Sequence, residues 1–295
     1  MSPRLGILVL AGIATLFGAN HVAARYAIDH GASVAGAVAT RSACTALVLL
    51  LLLRISNTKL LFVPKALPIG VLVAIQSFCL YTAVTKIPVA LALLVFQSFP
   101  LLYVLLSWAT GKERPRWAAL APIPLALAGL ALALDVYGKA GDVAGRWAEI
   151  GAGVGWALGA AVAFALVVFL NTHWLKGPDD RALDGRLRTF YMMSVTAALT
   201  LAGGAAAGAL ALPVDAGGWV ALALLTLLYG AAITSLFVVL PKLGGGATST
   251  IALNFEPIAA LGIAWVVLGQ AVAPLQVLGA FVVVGAIAWL GAIRR

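Results

Sequence analysis

Residues 34–54 read VAGAVATRSACTALVLLLLLR, an apolar run with a single charge, Arg41, before the terminal Arg54. At about 1.5 Å per residue a helix of this length spans roughly 30 Å, the hydrocarbon thickness of a bilayer. Gly, Pro and charge divide the rest of the chain into nine similar runs, at 5–28, 66–85, 88–108, 117–136, 150–174, 188–210, 218–240, 246–268 and 273–293. Each is continuous and far longer than the alternating segments of a barrel strand. The sequence therefore predicts an all-α polytopic membrane protein with ten transmembrane helices.

Composition agrees. Of 295 residues, 63% are hydrophobic and 10% charged, with a mean hydropathy of +1.08. Soluble domains carry about 25% charged residues, so one or two water-soluble domains are excluded. The net charge of +9 does not mark a nucleic-acid surface, because the bases gather at helix ends. Of the 19 Lys and Arg, fourteen fall on the side of the N-terminus, four (Arg25, Lys86, Lys139, Arg146) on the other, and Arg41 inside a span. That bias predicts both termini in the cytoplasm. The first run is read as a retained helix rather than a cleaved signal peptide. Seven of the eight tryptophans lie near span ends, where indole prefers the membrane interface.

The two halves echo each other. Asn20 and Arg25 are matched by Asn171 and Lys176 at an offset of 151, and Gln97, Pro100 and Glu113 by Asn254, Pro257 and Gln270 at 157. Five spans is an odd number, so a duplicate of the first five enters the membrane the other way round, as in the inverted repeats of secondary transporters. The expected units are residues 1–143 and 144–295.

Polar groups inside spans need partners, because an ionised side chain at the bilayer centre costs about 3 kcal/mol or more. They are Asn20, Arg41, Gln76, Tyr81, Gln97, Asn171, Tyr191, Tyr229, Asn254 and Glu256. Glu256, ten residues into the ninth run, is expected near the midplane, either paired with Arg41 or hydrogen-bonded to a neighbouring helix, or else serving as a cation partner for substrate or a proton carrier. Pro100 and Pro257 are expected to kink their helices, freeing the carbonyls of Phe96 and Leu253. Trp156, between Gly155 and Gly159, is read as an aromatic packed over small residues or lining a cavity. Gly151, Gly155 and Gly159 form a small-residue ridge suited to packing, and Gly244–Gly246 a turn. Cys44 and Cys79 read as small buried hydrophobes. His21, His30 and His173 are scattered, so no metal site is expected, and no hydrolase, protease or nucleotide-binding motif is present.

Several of these residues resemble the EamA-type ten-helix members of the drug/metabolite transporter superfamily. Phe17-Gly18-Ala19-Asn20 with Arg25 is similar to the family's W-G-x-N-x4-K in the first helix. Arg41, Tyr81-Thr82-Ala83, Ala90-Leu91-Ala92, Pro100-Leu101 and Lys112-Glu113-Arg114 continue the likeness. Glu256-Pro257, Leu268-Gly269-Gln270 and Gln276-Val277-Leu278-Gly279-Ala280 extend it through the second half. Phe17 stands for the usual Trp, Arg25 for Lys and Gln270 for Glu. The resemblance implies two inverted five-helix repeats around a central cavity, alternating access, and transport of amino acids, other metabolites or drugs, commonly outward. It implies a cavity lined by Asn20, Gln76, Tyr81, Gln97, Trp156, Asn171, Tyr229, Asn254 and Glu256. The expected partners are the lipid bilayer of a bacterial inner membrane and a small-molecule substrate such as an amino acid. No nucleic acid, cofactor, metal or enzymatic activity is expected. A proton-coupled multidrug or metabolite exporter is the alternative; a channel or a membrane-embedded enzyme fits less well.

Overall fold

The computed structural model describes residues 3–60, 63–112, 121–134, 143–174, 184–239, 255–270 and 273–293. These residues form helices α1 (Pro3–Asp29), α2 (Val34–Ile55), α3 (Ala66–Lys86), α4 (Val89–Phe96), α5 (Phe99–Ala109) and α6 (Pro122–Leu134). They continue as α7 (Val143–His173), α8 (Gly185–Ala206), α9 (Ala216–Val239), α10 (Glu256–Leu268) and α11 (Pro274–Ile293), with no strand among the described residues. Because α4 and α5 together make one apolar span, Val89–Ala109, the eleven helices are ten spans. Seven of these are long and apolar enough to cross a bilayer over their described residues, and the other three are shorter apolar helices. Their outward faces carry bare apolar side chains such as Leu51 (61% exposed), Trp265 (65%) and Val266 (74%). Water would penalise that surface and lipid does not.

The principal helix contacts run between the halves: α2 against α8, α4 against α10, α6 against α11, α3 against α7 and α1 against α9. With α4 and α5 counted as the fourth span, the pattern maps onto itself when each span is exchanged for the one five places away. The contact of α3 with α7 becomes that of α9 with α1. Likewise α3 with α8 becomes α9 with α2, and α1 with α10 becomes α7 with α4 and α5. The halves interlock around a shared core in which Leu91–Phe96 of the first half packs with Ala260, Ala264, Ala280 and Val283 of the second.

Hydrogen bonds across the loops place the helix ends. At one end of the bundle Ser33 N–H donates to the Ala211 carbonyl at 3.0 Å, and Val214 N–H to that of His30 at 3.0 Å. This joins the α1–α2 turn to the α8–α9 loop. At the opposite end of α2, Arg186 donates to Ser56 Oγ at 3.3 Å and holds Asp184, the N-cap of α8, at 2.8 Å. The same guanidinium keeps the Asp184 carboxyl below the usual carboxylate range.

Two expectations about helix geometry are corrected. Pro100 does not kink a continuous helix. Pro100 lies in the first turn of α5, after a break at Gln97-Ser98, and Pro257 lies in the first turn of α10. A first-turn proline is favourable because its missing N–H has no intrahelical acceptor there. The two starts are alike: the residues before them, Ser98 and Phe255, have φ/ψ of −71°/−13° and −71°/−16°, and lie 157 residues apart. Both helices also end on a left-handed glycine, Gly111 (φ 67°) and Gly269 (φ 63°). The second correction concerns α7, which begins at Val143 rather than near residue 150, so Arg146 lies in its first turn. Residues 240–254, with Asn254, Leu253 and the Gly244–Gly246 run, lie outside the described residues.

The turn after α10 also caps α4. Gly269 and Gln270 both return their N–H groups to the Ala264 carbonyl, the pattern of a helix end that needs a left-handed residue. This aims the Gln270 side chain at α4, where its Oε1 accepts from Val89 N–H at 3.1 Å. Gln270→Ala is expected to lower stability by about 1 kcal/mol, read as a lower melting temperature in detergent, while Gln270→Glu keeps the acceptor and the stability.

Candidate functional site

One polar cluster occupies the interior, where α1, α2 and α3 meet α9 and α10. Arg41 on α2 is 2% exposed. Its Nη1 donates to the Tyr81 hydroxyl and its Nη2 to Ser77 Oγ, both at 2.8 Å. The Tyr229 ring of α9 faces the guanidinium, 3.8 Å from Cζ to the ring centre, and the Tyr81 ring lies at 5.0 Å. Aromatic faces soften the burial of a cation but do not neutralise it. The Tyr81 hydroxyl, having accepted from Arg41, donates its own O–H to Asn20 Oδ1 at 3.3 Å. Gln76 adjoins the cluster, its Oε1 accepting from Ser77 Oγ at 3.3 Å.

Glu256 is not paired with Arg41. It pairs with His21, one residue after Asn20 on α1, at 3.2 Å between Nε2 and Oε1. The two side chains are 7% and 12% exposed. The His21 ring stands edge-on to Tyr81, with centroids 5.8 Å apart, so one tyrosine touches both the basic and the acidic part of the cluster. Backbone packing sets this geometry. Gly18, one turn before His21, lies so close to α10 that a Cβ there would stand 2.9 Å from the Glu256 carbonyl oxygen. Glu256 occupies the first turn of α10 rather than mid-helix, and its charge is favourable at a helix N-terminus.

The cluster thus gathers Asn20, Arg41, Tyr81, Tyr229 and Glu256, with Gln76 at its edge. Other expected cavity residues lie elsewhere. Trp156 is 38% exposed on α7 and meets Phe78 edge-on. Asn171, farther along α7, donates to the Val167 carbonyl at 2.9 Å and touches Met192 Sδ at 3.9 Å. The 151-residue offset pairs Asn171 with Asn20 and Met192 with Arg41, so a thioether stands in the second half where the first half has a cation. Gln97 is buried at the α4–α5 break and shares no described hydrogen bond with the cluster. Asn254 is outside the described residues. His21 and Ser77 were not singled out as site residues by sequence. An imidazole beside a selected asparagine was a readable signal; a helical serine was not, because its hydroxyl can bond its own helix.

Among the described residues no group of His, Cys, Asp and Glu is arranged to hold a metal. A ten-span bundle whose halves interlock, with a cationic and an anionic side chain buried at the joint, has the form of a membrane transporter. Residues 4–134 match the EamA-like transporter family. That match takes in 131 of the 295 residues, so the first half of the chain is similar to this transporter family, and the ten apolar spans make the whole a multi-pass membrane protein. A solved structure described only as "Crystal structure of protein" is similar over 99% of this chain and 98% of its own, with a TM-score of 0.66 at 18% identity. At that identity the likeness speaks for the fold alone, which it extends over the second half. No curated protein matches the sequence.

Proposed function

We propose that the protein is a secondary transporter that exports amino acids across a bacterial inner membrane by alternating access. In this reading residues 1–143 and 144–295 are inverted repeats, both termini are cytoplasmic, and the substrate binds where they meet. The observation that carries it is the buried Glu256–His21 pair beside the Arg41–Tyr81–Asn20 network, on helices drawn from both halves. A zwitterionic amino acid exchanges water for fixed opposite charges, and this cluster contains one of each sign. The exchange symmetry of the helix contacts and the matched starts of α5 and α10 support the repeat. The fourteen-to-four distribution of bases supports the orientation.

A second reading has its own observation. Histidine and carboxylate in contact can carry a proton, which favours proton-coupled export of drugs or other metabolites. Counterflow in proteoliposomes, with a panel of labelled amino acids, nucleobases and cationic drugs, separates the readings. A transporter saturates and is trans-stimulated, whereas a channel does neither. For an amino-acid carrier, Glu256→Gln is expected to weaken amino-acid exchange by about 10- to 100-fold, the worth of a hydrogen bond to a charged group, with the melting temperature nearly kept. A proton carrier loses pH-driven transport in that variant and retains exchange. Wild-type affinity, pH response and exchange in a stable Gln variant would remove Glu256 from the mechanism.

A further inference from the structure

The cluster around Arg41 has more buried hydrogen-bond donors than acceptors. A guanidinium carries five N–H donors, and the described partners of Arg41 are two neutral hydroxyls and two aromatic rings. Its Nε is buried without a partner, and none of the described ion pairs includes it. Asn20 is fully buried, and because its Oδ1 faces the Tyr81 hydroxyl, its Nδ2 is left without an acceptor. The two residues are neighbours: both touch the same phenolic oxygen. The hydroxyl of Ser42, next along α2, is also buried and unpartnered. The acid of the cluster, Glu256, is engaged by His21 on the other side of Tyr81. A buried charge with no counter-ion among the described residues, beside the unused amide of Asn20, is costly by itself. A negatively charged acceptor relieves both Arg41 and Asn20 at once.

We propose that Arg41, with the free amide of Asn20, is the site that receives the carboxylate end of the transported molecule. This rests on the amino-acid reading above and adds polarity to it: carboxylate on the Arg41 side of Tyr81, ammonium on the Glu256 side. A planar carboxylate matches the fork of a guanidinium. Arg41 and Asn20 are closed to solvent in this conformation. The covering group is Tyr229, which is half-buried and holds Arg41 by its ring face with no described hydrogen bond from its hydroxyl. Its displacement opens the guanidinium to an incoming anion.

The test is exchange in proteoliposomes with L-leucine, L-leucinamide and isopentylamine as competing probes, repeated with other common amino acids and their amides. Wild-type protein is expected to prefer the free acid over the amide by about 10- to 100-fold, and Arg41→Met to bring the two near parity. Asn20→Asp provides a second route should the Met variant not fold. Its carboxylate keeps an acceptor for the Tyr81 hydroxyl and supplies the missing counter-ion to Arg41. It is expected to raise the melting temperature while suppressing exchange of the free acids, a combination that a merely structural arginine does not produce. Equal exchange of acid and amide by the wild type overturns the proposal, as does wild-type acid preference in Arg41→Met or in a stable Asn20→Asp. If amino acids are not exchanged, but isovalerate or inorganic phosphate stabilises wild type and not the Arg41 variant, the anion site stands and the amino-acid reading falls. If neither anion stabilises the wild type, both fall.

Discussion

Gly18→Val is expected to abolish transport without touching any polar residue of the site. Even a single Cβ at Gly18 would lie 2.9 Å from the Glu256 carbonyl oxygen, 3.0 Å from Ala260 N and 3.4 Å from Ala259 Cβ. The first two are backbone atoms and cannot rotate away, so α10 must retreat from α1. His21 lies one turn along the same helix, and its contact with Glu256 is 3.2 Å. A retreat of about 1 Å takes that pair beyond hydrogen-bonding range. The bundle should survive, because α2 with α8, α3 with α7 and α6 with α11 do not depend on this seam. Exchange in proteoliposomes is expected to fall to background in protein that still elutes as a single folded species, with Gly18→Ala intermediate. Wild-type exchange by the valine variant would show that the α1–α10 seam does not position the site.

Gly279→Ala is expected to cost about 3 kcal/mol of stability, at the upper end of what overpacking usually costs. Gly279 on α11 crosses α6 where a Cβ would stand 2.4 Å from Ala133 N, 2.6 Å from the Gly129 carbonyl oxygen and 2.9 Å from Ala133 Cα. All three are backbone atoms. Gly129 and Ala133, four residues apart, form the small-residue groove that permits this approach, and Ala133, Ala280 and Val283 belong to the shared core. Thermal unfolding in detergent should register the loss. Gly155→Ala is the control. A Cβ at Gly155 meets nothing within 4 Å, so that variant should gain the 0.5–1 kcal/mol by which alanine exceeds glycine in a helix. An equal loss at both positions would mean that helix packing is not what Gly279 provides.

The contrast between these glycines illustrates how far sequence reading reaches. The Gly151, Gly155 and Gly159 ridge has the spacing of a packing surface, yet Gly155 faces open space and Gly159 meets only Cys79 Sγ, at 3.6 Å. Close approach occurs instead at Gly153, where Ile87 lies 2.6 Å from a built Cβ, and at Gly279. Spacing identifies a smooth helix face but not the neighbour that covers it. The prolines show the same limit. Their offset of 157 residues joins two helix starts of similar backbone geometry, but a proline inside an apolar run suits a kink and a fresh helix start equally. Only the backbone at Gln97-Ser98 distinguishes them for the first half.

The site divides along similar lines. Asn20, Arg41, Tyr81, Tyr229 and Glu256 stood out because polar groups are expensive in lipid and must be satisfied inside. Which of them meet was not legible. Glu256 and Arg41 are the obvious pair by charge, but Gly18 draws Glu256 to α1 and His21, while Arg41 turns to Tyr81, Ser77 and Tyr229. Trp156 and Asn171 are polar or amphipathic in the same sense as the others, yet the direction in which α7 faces takes them away from the cluster.

From the sequence by itself come the ten spans, their boundaries to within a few residues for most, the expected orientation and the echo between the halves. These depend on continuous hydropathy, on where charge falls and on residue spacing, all of which are local properties of the chain. Tertiary structure alone decided that the halves interlock and that Glu256 answers to His21. It also decided that Arg41 has no counter-ion among the described residues. Those outcomes depend on backbone approaches between segments up to about 240 residues apart, from Gly18 to Glu256, and a missing Cβ permits such an approach without naming the helix that makes it.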